Sequence, residues 1–127
     1  MSAWLAVGLG GAVGSMARFG VGRLVSQVWP AQQFPLATLI VNVIGCTALG
    51  LVVGAVEPGR LAARPSLVAF MTVGVLGGFT TFSTFGLDTV VLLRAGMTGH
   101  AVANVLAQVL FGVGGVYLGI LLTQTPR

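Results

Sequence analysis

Apolar residues run along this chain in four long stretches, separated by short polar or proline-marked interruptions. The first covers about 3–28 and is closed by Trp29-Pro30, since proline opposes helix continuation and tryptophan suits a membrane–water interface. The second begins at Phe34 or Pro35, covers 34–56, and meets a stop at Glu57-Pro58-Gly59. The third follows Pro65 and covers 66–94. After a short turn from Ala95 to Gly99 the fourth fills 101–122, leaving a polar tail. At roughly 20 residues per crossing, each stretch is long enough to span a bilayer as a helix. The pattern predicts an all-α integral membrane protein with four transmembrane helices, a single membrane domain over 1–127 with no room for a soluble one. The first stretch lacks a positive leading region and is long for a cleavable signal, so it reads as the first helix.

The third stretch is irregular. Its middle reads Gly74-Val75-Leu76-Gly77-Gly78-Phe79-Thr80-Thr81-Phe82-Ser83-Thr84-Phe85. Paired glycines followed by hydroxyl residues are poor helix material, which predicts a break near 77–81. Unwound backbone at membrane depth is tolerated only where protein buries it or a wet cavity meets it. This segment therefore belongs at the heart of the assembly. Elsewhere, glycines four apart (Gly10 and Gly14, Gly50 and Gly54, Gly74 and Gly78, Gly115 and Gly119) read as close helix-packing positions.

Composition agrees with a lipid setting. The chain is 56% hydrophobic and 6% charged, where soluble domains run near ~25% charged. Its six arginines and two acids, Glu57 and Asp88, leave a net charge of +4. The arginines are scattered and no basic patch is interleaved with aromatics, so nucleic acid is not an expected partner. Cys46 is the single cysteine, in an apolar run, and reads as a buried inert thiol. One histidine and no clustered ligands give no transition-metal site. With four spans, Arg60, Arg64 and Arg127 fall on one side and Arg18, Arg23 and Arg94 on the other. That balance sets no preferred orientation, and two opposite insertions can pair as an antiparallel dimer.

Several residues carry candidate chemistry. Asn42 lies mid-helix, four residues after Thr38 and so on the same face. An amide in hydrocarbon needs a partner. It serves either as a helix–helix hydrogen bond or as a polar lining whose N–H, with the Thr38 hydroxyl, donates to an anion. Phe82 and Phe85 are three apart and flank Ser83 and Thr84. Aromatic rings have a positive edge, which attracts an anion without trapping it, and conduction requires release. Carbonyls freed at a helix break coordinate cations such as sodium, with Gly77 and Thr80 as candidates. Arg18 either snorkels to the interface or gathers anions at a pore mouth. Asp88 reads as a surface or capping residue. Asn104 and Gln108, four apart on the last helix, either extend a polar track or join helices.

Gly10-Gly11-Ala12 through Arg18-Phe19, Thr38-Leu39-Ile40-Val41-Asn42 with Gly45, and Gly77-Gly78-Phe79-Thr80-Thr81-Phe82-Ser83-Thr84-Phe85 together resemble the Fluc/CrcB fluoride channels over nearly the whole chain. The resemblance implies an antiparallel, dual-topology homodimer with two fluoride pathways in the bacterial inner membrane, exporting fluoride passively from the cytoplasm. It implies a structural sodium ion at the dimer interface, held by the backbone carbonyls of Gly77 and Thr80. Phe82 and Phe85 are implied to line the pathways, with Asn42 essential, Thr38, Ser83 and Thr84 supplying hydroxyls, and Arg18 toward the aqueous vestibule. Helix 4 departs from the pattern: where many members carry a tyrosine and serines, this chain has Asn104, Gln108 and Gly112, with Tyr117 further on. Phe19 stands where tyrosine is common. The competing readings are a small four-helix multidrug or cation transporter and a non-conducting assembly subunit. The first needs a carboxylate inside helix 1, which has none. The second leaves the break and its hydroxyl–phenylalanine cluster unexplained. No nucleophile–base pair or phosphate loop points to an enzyme.

Overall fold

The computed structural model describes residues 2–56 and 64–124. The stop expected at Glu57-Pro58-Gly59, and with it Arg60 and Arg127, lies outside the described residues. Within them the secondary structure is entirely helical: α1 (Ala3–Val28), α2 (Leu36–Val56), α3 (Pro65–Ala69), a π-helical segment (Phe70–Leu76), α4 (Gly77–Phe79), α5 (Phe82–Arg94) and α6 (Thr98–Thr123). Taken as continuous spans, Ala3–Val28, Leu36–Val56, Pro65–Arg94 and Thr98–Thr123 are four helices long and apolar enough to cross a membrane.

Local chemistry sets the boundaries. The Ser2 hydroxyl oxygen caps α1 by accepting from the Leu5 N–H at 3.3 Å. Helix α2 starts at Leu36, slightly later than Phe34 or Pro35: the Pro35 carbonyl accepts from the Leu39 N–H, so Pro35 stands as the cap just before the first helical residue. The turn after α5 is tighter than the expected Ala95–Gly99. Gly96 adopts φ 73°, and Met97 N–H donates to Leu92 C=O at 2.9 Å while Gly96 N–H donates to Leu93 C=O at 3.0 Å. This Schellman closure satisfies the last carbonyls at once, so α6 begins at Thr98 and takes in Gly99. Arg94 sits in the last turn of α5, where a cation complements the helix dipole.

The third span is the irregular one. Its break is narrower than 77–81: Gly77–Phe79 is still helical and only Thr80 and Thr81 are extended. Sequence reading did not anticipate the winding upstream. Phe70–Leu76 is π-helical, and Gly77 N–H reaches Thr72 C=O five residues back. The wider turn and the break together loosen the span over its central third, and π-turns recur where helices serve function rather than only packing.

Glycines let the spans close on one another. Helix α1 packs on the π segment and α4, and α2 packs on α6. A Cβ on Gly10 would stand 2.6 Å from the Phe70 carbonyl oxygen, and one on Gly78 2.7 Å from that of Gly11. A Cβ on Gly14 would collide with the Val75 carbonyl, one on Gly50 with that of Val116, and one on Gly119 with that of Thr47. Lipid is as apolar as leucine and supplies no hydrophobic drive between helices, so this close backbone approach is what binds them. The buried apolar core is correspondingly slight among the described residues (Ala6, Val25, Val41, Leu76, Leu92 and Ala101), while large apolar side chains cover the outside.

Gly14→Val places branched carbon into the Val75–Phe79 backbone. Overpacking of this kind costs roughly 1–3 kcal/mol or more. The variant is expected to lose its monodisperse peak in detergent, or to melt well below the parent. Gly8→Ala, where nothing lies within 4 Å, is expected to melt like the parent. Equal melting of Gly14→Val and parent would remove the close α1 contact from the account.

Candidate functional site

Every functional residue expected from the sequence lies near the Thr80–Thr81 break. At its upstream edge the Thr80 N–H and hydroxyl both donate to the Leu76 carbonyl, at 3.0 and 2.9 Å. At its downstream edge Thr81 caps α5: its hydroxyl oxygen accepts from the Thr84 N–H at 3.1 Å. The same hydroxyl donates to Thr84 Oγ1 at 3.0 Å and lies 3.2 Å from Ser83 Oγ. In an unbroken helix the Thr81 N–H would bond to the Gly77 carbonyl. Here it turns away.

Asn42 takes it. The Thr81 N–H donates to Asn42 Oδ1 at 2.8 Å, and Asn42 Nδ2 donates back to the Thr81 carbonyl at 3.0 Å. One amide thus satisfies both backbone groups of a residue that is 7% exposed. The second Nδ2 proton goes to Gln108 Oε1 on α6, at 3.0 Å. Of the two roles left open for Asn42, the helix-bridging one is occupied in full, and both amide protons are committed within the protein. A turn away, the Thr38 hydroxyl donates to Asp88 Oδ2 at 2.6 Å. Asp88 is therefore half-buried against α2 rather than a surface or capping residue. A carboxylate held inside a span requires a hydrogen-bond donor, and Thr38 provides it.

Helix α6 enters the same network. Asn104 is fully buried and its Nδ2 donates to Thr89 Oγ1 at 3.0 Å, while the Thr89 hydroxyl donates to the Phe85 carbonyl at 2.8 Å. Asn104 and Gln108, left open between track and strut, each receive a partner on another element. Asn104 Oδ1 and Gln108 Nε2 are buried without one.

Three clefts surround the break. The first, of about 240 Å³, lies between α2, α5 and α6 and is lined by Asn42, Cys46, Phe82, Phe85 and Gln108. The Phe82 and Phe85 rings meet edge to face, with centroids 5.3 Å apart at 62°. The second, of about 380 Å³, lies between α1, α2 and α5 and is lined by Ser15, Arg18, Thr38 and Thr84. Thr81 stands in the wall of both. The third, of about 120 Å³, is bordered by Gly45, Thr72, Gly77 and Thr80. The structure thus gathers Asn42, Phe82 and Phe85 in one cleft, Arg18, Thr38 and Thr84 in the next, and Gly77 and Thr80 in the last. Ser83 lines none of them; it is exposed beside Thr81. Sequence reading missed the hub itself. Thr81 was one hydroxyl among four, and nothing in the pattern marked it as the residue whose backbone needs a side-chain partner.

Comparison with known proteins agrees with the motif. The family described as "CrcB-like protein, Camphor Resistance (CrcB)" matches residues 5–120. A protein of Methylobacillus flagellatus named fluoride-specific ion channel FluC is 42% identical over 119 residues, covering 93% of this chain and 91% of its own. Namesakes in Rhodospirillum centenum (43%, 95% of this chain and 94% of its own) and Paracoccus denitrificans (44%, 92% and 90%) are similarly related.

Asn42→Leu leaves the Thr81 N–H and carbonyl without partners in apolar surroundings. Each orphaned group costs about 1–3 kcal/mol. The variant is expected to unfold at a markedly lower temperature, with faster amide exchange at Thr81. Parental stability and exchange would mean that another group carries the break.

Proposed function

The chain belongs to the family of CrcB-like proteins, and we propose that it is a fluoride-selective passive channel of the bacterial inner membrane. The observation that carries this reading is the cleft beside the break. It joins two phenylalanine rings to amide and hydroxyl groups and is lined by no charged side chain. A lysine or arginine there would hold fluoride too firmly to release it, and a carboxylate would repel it. Ring edges and neutral donors replace part of the ion's hydration while leaving departure fast. Arg18 in the adjoining cleft raises local anion concentration without obstructing the path. The chemistry is movement down a gradient. No bond is made or broken, so the protein is a transporter of ions rather than an enzyme, and each ion moved carries charge.

In this reading Phe82 and Phe85 line the pathway, Thr38 and Thr84 border it from the adjoining cleft, Ser83 offers its hydroxyl on the exposed side of the break, and Asn42 holds the wall in shape. A second, oppositely inserted copy completes the assembly. In one chain Gly77 and Ser83 are exposed and Phe82 is 82% exposed beside the break. Lipid cannot satisfy polar backbone there, whereas a second copy covers it. A structural sodium ion fits the same face. The Gly77 carbonyl has lost the Thr81 N–H to Asn42, and Gly77 and Thr80 border one cleft. Neutral carbonyl oxygens suit an alkali cation, and two copies would contribute four of them. When bound, such an ion would hold the two breaks together.

Liposomes containing the purified protein are expected to release fluoride rapidly on addition of valinomycin, with little chloride release. Phe82→Ile should lose most of that flux while remaining dimeric. Valinomycin-independent or chloride-equal release would refute the channel reading. Terminal tags are expected to be accessible from both membrane faces, and dimer mass to fall when sodium is exhaustively exchanged for an organic cation. Accessibility from one face only, or a dimer indifferent to sodium, would remove those two features separately.

A further inference from the structure

Outside the three clefts at the break, a groove of about 230 Å³ runs between α5 and α6. Thr89 and Leu93, one turn apart, form one wall, and Ala101, Val102, Val105 and Leu106 form the other. Thr89 is the one polar residue of this lining, and its hydroxyl is engaged elsewhere: it donates to the Phe85 carbonyl and accepts from Asn104 Nδ2. The groove is therefore apolar throughout. Leu93, Val102 and Leu106 are each about half exposed along it, so it opens outward at a depth where hydrocarbon is the solvent.

At the turn between α5 and α6 the chemistry changes. Arg94 follows Leu93 directly and is exposed. Among the described residues the one acidic side chain is Asp88, which Thr38 of α2 engages, so Arg94 has no counter-charge there. Thr98 precedes Ala101, Val102 and Val105 by three, four and seven residues, which puts it on the same face of α6 at the mouth of the groove. Ala95 and Gly96, between the two helices, are too small to cover that mouth.

An apolar groove that ends at an unpaired guanidinium and a hydroxyl matches a molecule with a hydrocarbon tail and an anionic head. We propose that this groove binds an anionic phospholipid, with one acyl chain between α5 and α6 and the phosphate against Arg94 and Thr98. A long cationic side chain at the end of a span reaches headgroup level, and basic side chains beside a span favour anionic lipid. A second copy of the chain suits the groove less well. The polar surface that a second copy has to cover lies at the break, and Leu93 stands about three turns beyond Phe82, roughly 16 Å along the helix. Nor does any described acidic side chain remain free to meet Arg94.

The test is photo-crosslinking of the purified full chain in phosphatidylcholine liposomes that carry a trace of phosphatidylglycerol with a diazirine on one acyl chain. Labelled positions are mapped by mass spectrometry. Labelling is expected to concentrate on Leu93, Val102, Val105 and Leu106, and to be displaced by excess unlabelled phosphatidylglycerol but not by added phosphatidylcholine. Arg94→Gln should reduce it about fivefold, the contribution of one cation beside an anionic headgroup, and Arg94→Lys should retain most of it. Arg23→Gln removes the same charge from the exposed side of α1 and is expected to label like the parent. An equal loss in that variant would reduce the effect to net charge and overturn the site. Labelling spread evenly over the outward faces of the four spans would mean ordinary boundary lipid and overturn it as well. A groove protected in the dimer but labelled after dilution to monomer would assign it to a second copy instead. None of these readouts depends on fluoride movement.

Discussion

A peptide group stripped of its helical partners in the middle of a bilayer must find others or unwind the structure around it. Thr81 is that group here, and one side chain, Asn42, supplies both an acceptor for its N–H and a donor for its carbonyl. The exchange is what allows the third span to stop and restart within the membrane. It also explains why an amide is required. A hydroxyl has one proton, a carboxylate has no donor when ionised, and neither can answer both backbone groups while reaching a third partner on α6.

The rest of the site follows from that clasp. Restarting the helix at Phe82 places Phe82 and Phe85 on the first turn of α5, where their rings meet at the edge of a cleft. Thr81, as the cap of α5, draws Ser83 and Thr84 into a hydroxyl cluster on the other side of the backbone. The diverted N–H leaves the Gly77 carbonyl without its helical donor. A single irregularity therefore sets a wall of phenylalanine rings and amides on one side of the break and, on the other, a carbonyl deprived of its helical donor.

Packing and charge serve the same end. Glycine contacts hold α1 to the π segment and α2 to α6 at backbone distance, so the spans cohere without a large apolar core. Charged side chains stay out of the phenylalanine cleft: Arg18 borders the neighbouring one, and the Asp88 carboxyl accepts a hydrogen bond from the Thr38 hydroxyl. A central wall of neutral groups suits an ion that must bind and leave again.

The four spans, the interruption near Gly77–Thr81 and the group of residues worth watching were all legible in the chain, because each is a local property. Span length and apolarity are read residue by residue, and glycine followed by hydroxyl residues disfavours helix wherever it stands. The glycines four apart announced close contacts but not their partners. Three things required the folded molecule. Nothing in the local pattern marked the upstream π-turn, which packs against α1. Asp88 changed from a surface residue to a partner of Thr38 only once α2 and α5 were side by side. The same holds for the amides: the roles of Asn42 and Gln108 turn on which atom faces which neighbour, and a side-chain amide carries a donor and an acceptor of nearly equal shape. Sequence names the amide, and only the surrounding backbone, here the single peptide of Thr81, decides which end of Asn42 faces which partner.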